Sequence, residues 1–105
     1  MRYWFFTIHK TEKRAEVTDE YALRILHQHT ASFQRLGAEG RCLMAGPFKD
    51  QTTDLGGGCY VFSAETEESA KKMADEDPLV IEGLYSYNVF EWMKVVPECD
   101  SSTKS

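Results

Sequence analysis

The chain alternates between segments with the hydrophobic spacing of strands and segments with that of helices. Short runs of aromatic and β-branched residues are typical of strands, and they predict strands over residues 3–8, 41–47, 56–63 and 84–96. Apolar residues three and four positions apart are typical of amphipathic helices, and they predict helices over residues 18–36 and 66–77. Between them, the charged segment 10–17 is predicted to be a loop, the polar segment 48–55 a connection and the segment 79–83 a turn.

Residue types at the ends of both predicted helices support these boundaries. Thr18 and Thr66 each precede acidic residues, and a threonine in this position accepts a hydrogen bond from the first turn of a helix. Gly37 is expected to end the first helix in the left-handed conformation, and Gly40 to close the connection. Pro78 is expected to end the second helix, because proline disfavours a helical conformation in the residue before it.

The order of elements is β-α-β-β-α-β, which predicts an α+β, ferredoxin-like fold with a four-stranded antiparallel sheet and two helices on one face. The predicted strands are apolar on both faces. In the first strand, Tyr3 and Phe5 alternate with Trp4, Phe6 and Ile8. Because one layer of helices covers one face, the open face is expected to bind a second copy of the chain. Two sheets packed face to face in this way form a dimeric α/β barrel, so a homodimer is expected.

One histidine interrupts the apolar stripe of the first predicted helix. His29 lies in line with Ala22, Leu26, Phe33 and Leu36, at spacings of three and four residues. A buried imidazole needs hydrogen-bond partners, so a histidine here indicates a polar pocket inside the fold. The alternative is a structural histidine that bonds to a backbone carbonyl or makes a pH-sensitive contact at a dimer interface.

A carboxylate occupies a corresponding place on the second predicted helix. Asp77 extends the apolar stripe of Ala70, Met73 and Ala74. Because both helices pack on the same face of the sheet, Asp77 and His29 are expected to approach each other. The carboxylate would orient the imidazole and stabilise its charged form, which suits a general acid–base. The alternative interpretation of Asp77 is an Asp-Pro turn that ends the helix.

Composition places these elements in one globular domain. The chain has 105 residues, of which 42% are hydrophobic and 28% charged, and we expect one domain over residues 1–96 followed by a disordered polar tail over 97–105. The net charge of −5 and the lack of a basic patch argue against nucleic-acid binding. No apolar run approaches the length of a membrane span, and the odd set Cys42, Cys59 and Cys99 argues for free thiols. A cytoplasmic protein that does not bind membranes is therefore expected.

No motif indicates a metal ion or an organic cofactor, and none is expected. His27 and His29 form an H-x-H pair, but side chains two apart on a helix point in different directions, so His27 is expected to face solvent. The glycines at 56–58 precede a strand and lack the pattern of a phosphate-binding loop. They predict a mobile hairpin connection, with a flap over the pocket as the alternative. Cys59 is expected to be a small core residue rather than a nucleophile.

The segment 29–47, H-T-A-S-F-Q-R-L-G-A-E-G-R-C-L-M-A-G-P, resembles the YCII-related (YciI-like) family. The segment A-D-E-D-P-L-V and a last strand ending near Trp92 extend the resemblance over almost the whole domain. The resemblance implies a ferredoxin-like fold that forms dimeric α/β barrels. It also implies a pocket with a catalytic histidine and aspartate, which correspond here to His29 and Asp77, with Asp50 and Asp54 as the alternatives to Asp77. One relative is a dehydrochlorinase acting on a chlorinated hydroxyquinol, and the related muconolactone isomerases share the barrel.

Two expectations about function follow. In the first, the protein is a cofactor-independent enzyme that performs acid–base chemistry of the lyase, isomerase or dehydrochlorinase type on a small cyclic or enol-like molecule. His29 would be the general acid–base and Asp77 its orienting partner, while Gly46, Pro47 and Tyr85 would contact the substrate. In the second, a non-catalytic dimer uses the same pocket to bind a small ligand or to regulate a partner.

Overall fold

The computed structural model describes residues 1–97, and within them the strands and long helices follow one another in the predicted order, with two short helices added. The strands are β1 (Arg2–Lys10), β2 (Cys42–Pro47), β3 (Gly58–Ala64) and β4 (Tyr85–Trp92). The helices are α1 (Glu12–Glu16), α2 (Asp19–Ala38), α3 (Glu67–Asp75) and α4 (Pro78–Ile81). The tail predicted to be disordered lies, from residue 98 onward, outside the described residues.

The four strands form one antiparallel sheet in the order β2-β3-β1-β4. This order, with helices packed on one face, confirms the predicted ferredoxin-like fold. The strands β1 and β3 are central, while β2 and β4 are the two edges. Within residues 1–97, no helix is long and apolar enough to cross a membrane.

The core lies between the sheet and the long helices. Trp4, Phe6 and Phe62 point from the two central strands toward the helices and are at most 2% exposed. Phe6 stacks on Tyr60 with ring centroids 4.8 Å apart, and Phe33 from α2 meets the edge of the Tyr60 ring at 4.7 Å. Aromatic pairs of this kind contribute about 0.5–1.5 kcal/mol each beyond the burial of their surface. This cluster therefore fixes the position of α2 on the sheet.

The predicted helix starts are confirmed. The Thr18 hydroxyl accepts a hydrogen bond from the backbone N–H of Tyr21 at 3.1 Å, and the Thr66 hydroxyl accepts one from Ser69 at 3.0 Å. Each bond satisfies one of the N–H groups that a helix leaves unpaired in its first turn. These caps set where α2 and α3 begin and hence which of their residues face the sheet.

Two segments predicted to be irregular instead form short helices. The segment predicted as a loop contains α1, which has no buried residue and therefore no apolar stripe to reveal it. Its start is tethered by Thr11, whose backbone N–H donates to the carbonyl of Leu84 at 3.0 Å. The segment 79–83, predicted as a turn, overlaps α4, which begins one residue earlier because Asp77 caps it and Pro78 occupies its first position. Pro78 thus separates α3 from a new helix that it starts.

The first long helix continues past the glycine that was predicted to end it. α2 runs to Ala38, so Gly37 lies within its last turn, and the left-handed conformation occurs at Gly40, with a φ of 78°. The backbone N–H of Arg41 donates to the carbonyl of Leu36 at 2.9 Å and closes the helix end.

The face of the sheet that carries no helix is partly apolar, as the alternation along the strands predicts. On this open face Phe5 lies opposite Phe90, and Tyr3 lies opposite Trp92. The rings of Phe5 and Trp92 meet edge to face with centroids 5.5 Å apart, while Phe90 and Trp92 are 57% and 56% exposed. β4 ends at Trp92 rather than near Val96, because its pairing with β1 ends there.

Candidate functional site

The structure brings His29 and Asp77 into direct contact. His29 projects from the middle of α2, and its Nδ1 lies 2.8 Å from Oδ1 of Asp77, which sits between α3 and α4. The Asp77 side chain is fully buried, and the His29 side chain is 16% exposed. Neither alternative aspartate takes this place, since Asp50 and Asp54 lie in the exposed connection between β2 and β3. Hydrogen bonds from Thr52 hold Asp50 there and lower the pKa of its carboxyl.

Local backbone structure places the carboxylate of Asp77. Its Oδ1 also accepts the backbone N–H of Leu79 at 2.9 Å, which makes Asp77 the cap of α4. The Asp-Pro turn and the partner of His29, two interpretations that the sequence kept apart, are thus one arrangement. The cap turns the carboxylate toward α2, where His29 meets it.

The contact assigns different roles to the two ring nitrogens of His29. An oxygen of a carboxylate can only accept a hydrogen bond, so in this contact Nδ1 of His29 is the donor. No residue in the described part of the chain bonds to Nε2, which is left to accept a proton. The ring also packs against Phe33, with centroids 4.5 Å apart. This arrangement of a buried carboxylate, an oriented imidazole and a free Nε2 is suited to general acid–base chemistry.

The apolar stripe around His29 differs from the predicted stripe at one position. Ala22, Phe33 and Leu36 are buried as predicted, but Leu26 is 42% exposed, and Ile25 takes its place in the core. Leu26 instead lines a cleft beside the core. His29 lies on the same side of α2 as Leu26, so this part of the predicted stripe faces the cleft rather than the core. The solvent-facing position predicted for His27 is confirmed.

The cleft has a volume of about 670 Å³ and lies between α2 and the edge of the sheet formed by β2 and β3. This volume is within the range of ~300–1,000 Å³ that small-molecule sites usually have. His29 and Tyr60 belong to its lining, and so do the three residues expected to contact a substrate, Gly46, Pro47 and Tyr85. Among the described residues, no Asp, Glu, Lys or Arg lines it. The cleft is therefore suited to an uncharged, largely apolar molecule.

A bulge in β2 shapes one wall of the cleft. Cys42 lies opposite Phe62 and Met44 lies opposite Val61, so Leu43 has no partner on β3. The extra residue reverses the alternation of faces from there on, and Leu43 and Met44 both line the cleft. Bulges often occur beside functional sites, but a bulge leaves no reliable mark in the hydrophobic pattern.

Close approach of backbones explains the three consecutive glycines. Gly56 has a φ of 97°, and a Cβ atom there would lie 2.2 Å from the carbonyl oxygen of Ile8. A Cβ atom on Gly58 would lie 2.6 Å from the carbonyl oxygen of Gly46. The backbone N–H of Gly57 donates to the Ile8 carbonyl at 2.7 Å. The glycines thus let this segment pack tightly against neighbouring strands. The sequence attributed them to a mobile connection, whereas the structure shows that close packing requires residues without a Cβ atom.

Sequence analysis missed Tyr60, because an aromatic residue in a strand is typical of a core. Tyr60 is 2% exposed and lines the cleft, yet no residue within 1–97 forms a hydrogen bond with its hydroxyl. Oδ2 of Asp77 is likewise buried without a partner among these residues. Burial raises the pKa of the Tyr60 hydroxyl, and the negative charge of Asp77 raises it further, so the hydroxyl remains protonated.

Three comparisons relate the chain to known proteins. The family model of the YCII-related domain matches residues 1–93. A relative described as "Uncharacterized protein YjpA" of Bacillus subtilis (strain 168) is 36% identical over 75 residues, which cover 71% of this chain and 84% of that protein. The fold is similar to that of the 5-chloro-2-hydroxyhydroquinone dehydrochlorinase TftG from Burkholderia phenoliruptrix AC1100, solved in complex with 2,5-dihydroxybenzoquinone. That match has a TM-score of 0.61, covers 94% of this chain and 100% of the other and, at 20% identity, shows a shared fold alone.

Proposed function

The chain belongs to the YCII-related family, and we propose that it is a cofactor-independent enzyme that performs acid–base chemistry on a small cyclic or enol-like molecule. The observation that carries this proposal is the 2.8 Å contact between Nδ1 of His29 and Oδ1 of Asp77 at a cleft of suitable size. The reaction would be an elimination or an isomerisation, as in a lyase, an isomerase or a dehydrochlorinase.

In the proposed reaction, Nε2 of His29 takes a proton from a substrate carbon next to a carbonyl group. The electron pair of the broken C–H bond moves toward the carbonyl oxygen and forms an enolate. The imidazole is then positively charged, and the carboxylate of Asp77 stabilises that charge through Nδ1. Return of the proton to another carbon completes an isomerisation. In the phenolate form of a chlorinated hydroxyquinol, the ring would first be protonated at the carbon that bears chlorine, and Nε2 of His29 would then take the proton of a ring hydroxyl. The electron pair of that O–H bond moves through the ring, the chloride ion leaves the protonated carbon, and the imidazolium releases its proton to water, which completes an elimination.

The lining of the cleft supports a small, uncharged and cyclic substrate. Apolar side chains such as Leu26, Phe33 and Leu79 surround His29 in the cleft. The structural neighbour was solved with 2,5-dihydroxybenzoquinone, a ring molecule with hydroxyl and carbonyl groups. We propose that Gly46, Pro47 and Tyr85 contact such a ring, and this proposal for their role rests on their place in the lining.

We also propose that the protein is a homodimer that associates through its open sheet face. The side chains of Tyr3, Phe5, Phe90 and Trp92 form an apolar patch on this face, and no element in residues 1–97 covers it. A second copy would cover it with an identical patch, as two-fold symmetric dimers do.

The two described cysteines, Cys42 and Cys59, are free thiols, which supports a proposed cytoplasmic location.

The catalytic proposal is tested with two reactions of ring molecules. The first is chloride release from 5-chloro-2-hydroxyhydroquinone, and the second is exchange of the ring hydrogens of 2,5-dihydroxybenzoquinone with deuterated water, followed by NMR. At least one is expected to be accelerated, and His29→Gln is expected to slow it by about a hundredfold or more, because a positioned general base typically contributes ~10²–10⁴-fold.

The matched control is His27→Gln, which changes an exposed histidine on the same helix and is expected to leave the rate unchanged. Binding of either molecule without any reaction, with His29→Gln weakening the affinity, would instead favour the non-catalytic ligand-binding dimer. A reaction that His29→Gln leaves at its full rate would refute the assigned role of His29.

A further inference from the structure

A smaller cavity of about 290 Å³, which we call the side cavity, adjoins the cleft. Leu26, Leu79 and Tyr85 line both, so the cleft and the side cavity form one continuous depression. Ala22 also lines the side cavity, and His29 lies two turns further along the same helix, a distance of ~10 Å. A ligand whose ring lies in the cleft can therefore extend into the side cavity.

Arg14 gives the side cavity a positive charge that the cleft lacks. Arg14 lines the side cavity, whereas no charged side chain within residues 1–97 lines the cleft. In α1, Arg14 is the one residue that is half-buried, and its neighbours Lys13 and Ala15 are exposed. The Arg14 side chain is 23% exposed. This short helix thus turns a single side chain, a cation, toward the body of the protein.

The start of α1 is tied to the residues that come directly before β4. The backbone N–H of Thr11 donates to the carbonyl of Leu84 at 3.0 Å, and its hydroxyl donates to the carbonyl of Gly83 at 2.5 Å. Arg14 follows within one turn, since its backbone N–H donates to the carbonyl of Thr11 at 3.1 Å. These bonds hold Arg14 beside Tyr85, the first residue of β4, and both line the side cavity.

The guanidinium of Arg14 has hydrogen-bond donors to spare. Within residues 1–97 its one partner is Asp19, whose Oδ1 accepts from Nη2 at 3.3 Å, although a guanidinium carries five N–H donors. The Asp19 side chain is 99% exposed, and an ion pair with so exposed a partner contributes little to stability. A ligand anion in the side cavity can therefore take the place of Asp19 at Arg14.

The shape and charge of this group favour a carboxylate as the anion. A planar guanidinium can donate two parallel N–H groups to the two oxygens of a carboxylate. Among the described residues, Arg14 is the one cation that lines the side cavity. It balances the single charge of a carboxylate, whereas a phosphate group brings about two negative charges. The contact with Asp19 already holds a carboxylate oxygen at this guanidinium.

We propose that Arg14 binds a carboxylate group of the ligand while the ring of the same ligand lies in the cleft beside His29. This inference rests on the proposed function and narrows its substrate class to ring molecules with a short acidic side chain. The part of the ligand in the cleft is uncharged, and its charge lies in the side cavity. Arg14 then determines specificity at a distance from the reacting atoms.

The proposal is tested with 4-hydroxyphenylacetate and 4-hydroxyphenylacetamide, which share a ring and differ in the charge of the side chain. Calorimetry at low ionic strength is expected to show the natural protein binding the acid about tenfold more tightly, because hydrogen bonds between charged groups are stronger than those to a neutral group. Arg14→Gln is expected to weaken binding of the acid about tenfold and to leave binding of the amide unchanged. Asp19→Asn is expected to tighten binding of the acid, because it removes the competing anion.

Lys13→Gln is the matched control. It changes the net charge of the same helix by the same amount, but Lys13 is exposed and lines neither the cleft nor the side cavity. This variant is expected to bind both molecules as the natural protein does. Thermal unfolding of Arg14→Gln is expected to match that of the natural protein, because the ion pair it removes has an exposed partner. A loss of acid binding then reports the guanidinium rather than the fold.

Equal affinities of the natural protein for the acid and the amide would overturn the carboxylate site, and so would a lack of binding of the acid at millimolar concentration. An Arg14→Gln variant that keeps the full preference for the acid, or a Lys13→Gln variant that loses as much of it, would also overturn the site.

These outcomes are separable from failure of the catalytic proposal, because binding is measured without turnover. A preference for the acid that depends on Arg14, with no reaction on any substrate, would leave the carboxylate site standing and remove the enzyme. A reaction that depends on His29 in a protein with no preference for the acid would do the reverse.

Discussion

At the scale of single residues, Oδ1 of Asp77 connects the backbone to the candidate chemistry. It accepts the N–H of Leu79, which fixes the start of α4, and it accepts Nδ1–H of His29. Burial makes both bonds stronger and makes their loss more costly. The same atom thus positions the helix and the imidazole, so a change at Asp77 is expected to affect both stability and the proposed activity.

Replacements of Asp77 separate its oxygen acceptor from its charge. Asp77→Ala removes the acceptor for both N–H groups and is expected to lower the free energy of unfolding by about 2 kcal/mol or more. Asp77→Asn keeps an oxygen acceptor and is expected to cost less than about 1 kcal/mol, while slowing the reaction because the imidazolium loses its counter-charge. Urea unfolding and the rate assays measure the two effects. Equal losses of stability in both variants would show that the charge, not the cap, stabilises the fold.

At the scale of elements, caps and glycines decide where the helices end. Threonine caps were visible in the sequence, since a threonine before acidic residues has a specific role. The sequence did not show whether Gly37 or Gly40 ends α2, because a glycine at either position can adopt the left-handed conformation. The hydrogen bond from Arg41 to Leu36 selects Gly40.

Alanine replacements of these two glycines test the observed end of α2. Gly37 is helical, and a Cβ atom there would meet its nearest neighbour at an ordinary 3.8 Å, so Gly37→Ala is expected to stabilise the protein by about 0.5–1 kcal/mol. Gly40 has a φ of 78°, so Gly40→Ala is expected to destabilise by about 1 kcal/mol. Thermal unfolding of both variants provides the comparison. If Gly37→Ala instead destabilised the protein and Gly40→Ala stabilised it, the helix would end at Gly37, as the sequence alone predicts.

At the scale of the whole molecule, the sheet is apolar on both faces while helices cover one. The covered face holds the aromatic cluster around Phe6, and the open face exposes Phe90 and Trp92. Exposed aromatic residues that lie side by side are unusual on a monomer, which supports the proposed dimer.

A charge placed on the open face tests the proposed dimer. Phe90→Glu is expected to convert a dimer into a monomer, because a carboxylate buried in an apolar interface lacks a partner. Sedimentation equilibrium measures the mass. Ile81→Glu, which changes an exposed apolar residue of α4, is the control and is expected to remain dimeric. A natural protein that sediments as a monomer would contradict the proposal.

Much of the fold and part of the site could be predicted from the sequence. The order of elements and the caps at Thr18 and Thr66 follow from local residue patterns, because side chains repeat along a strand or helix with a fixed period and cap residues precede a helix. The sequence also named Asp77 as one candidate partner of His29, and packing of the elements selected it over Asp50 and Asp54. α1 and the bulge at Leu43 could not be predicted. A helix without buried residues has no periodic signal, and a bulge shifts the period by one residue without changing residue type.

The sequence by itself determined the ferredoxin-like arrangement and singled out His29 and Asp77. The helix stripe predicted for Asp77 was wrong, because α3 ends at Asp75 and Asp77 caps α4 in an extended conformation. The tertiary structure alone decided that one oxygen of Asp77 serves as a helix cap and as the partner of His29. It also decided that Tyr60, which the strand pattern assigns to the core, lines the cleft and has a buried hydroxyl with no partner within residues 1–97. The physical reason is that periodicity states which face of an element a side chain occupies. Hydrogen bonds depend on distances between elements far apart in the chain, and these distances are set when the elements pack.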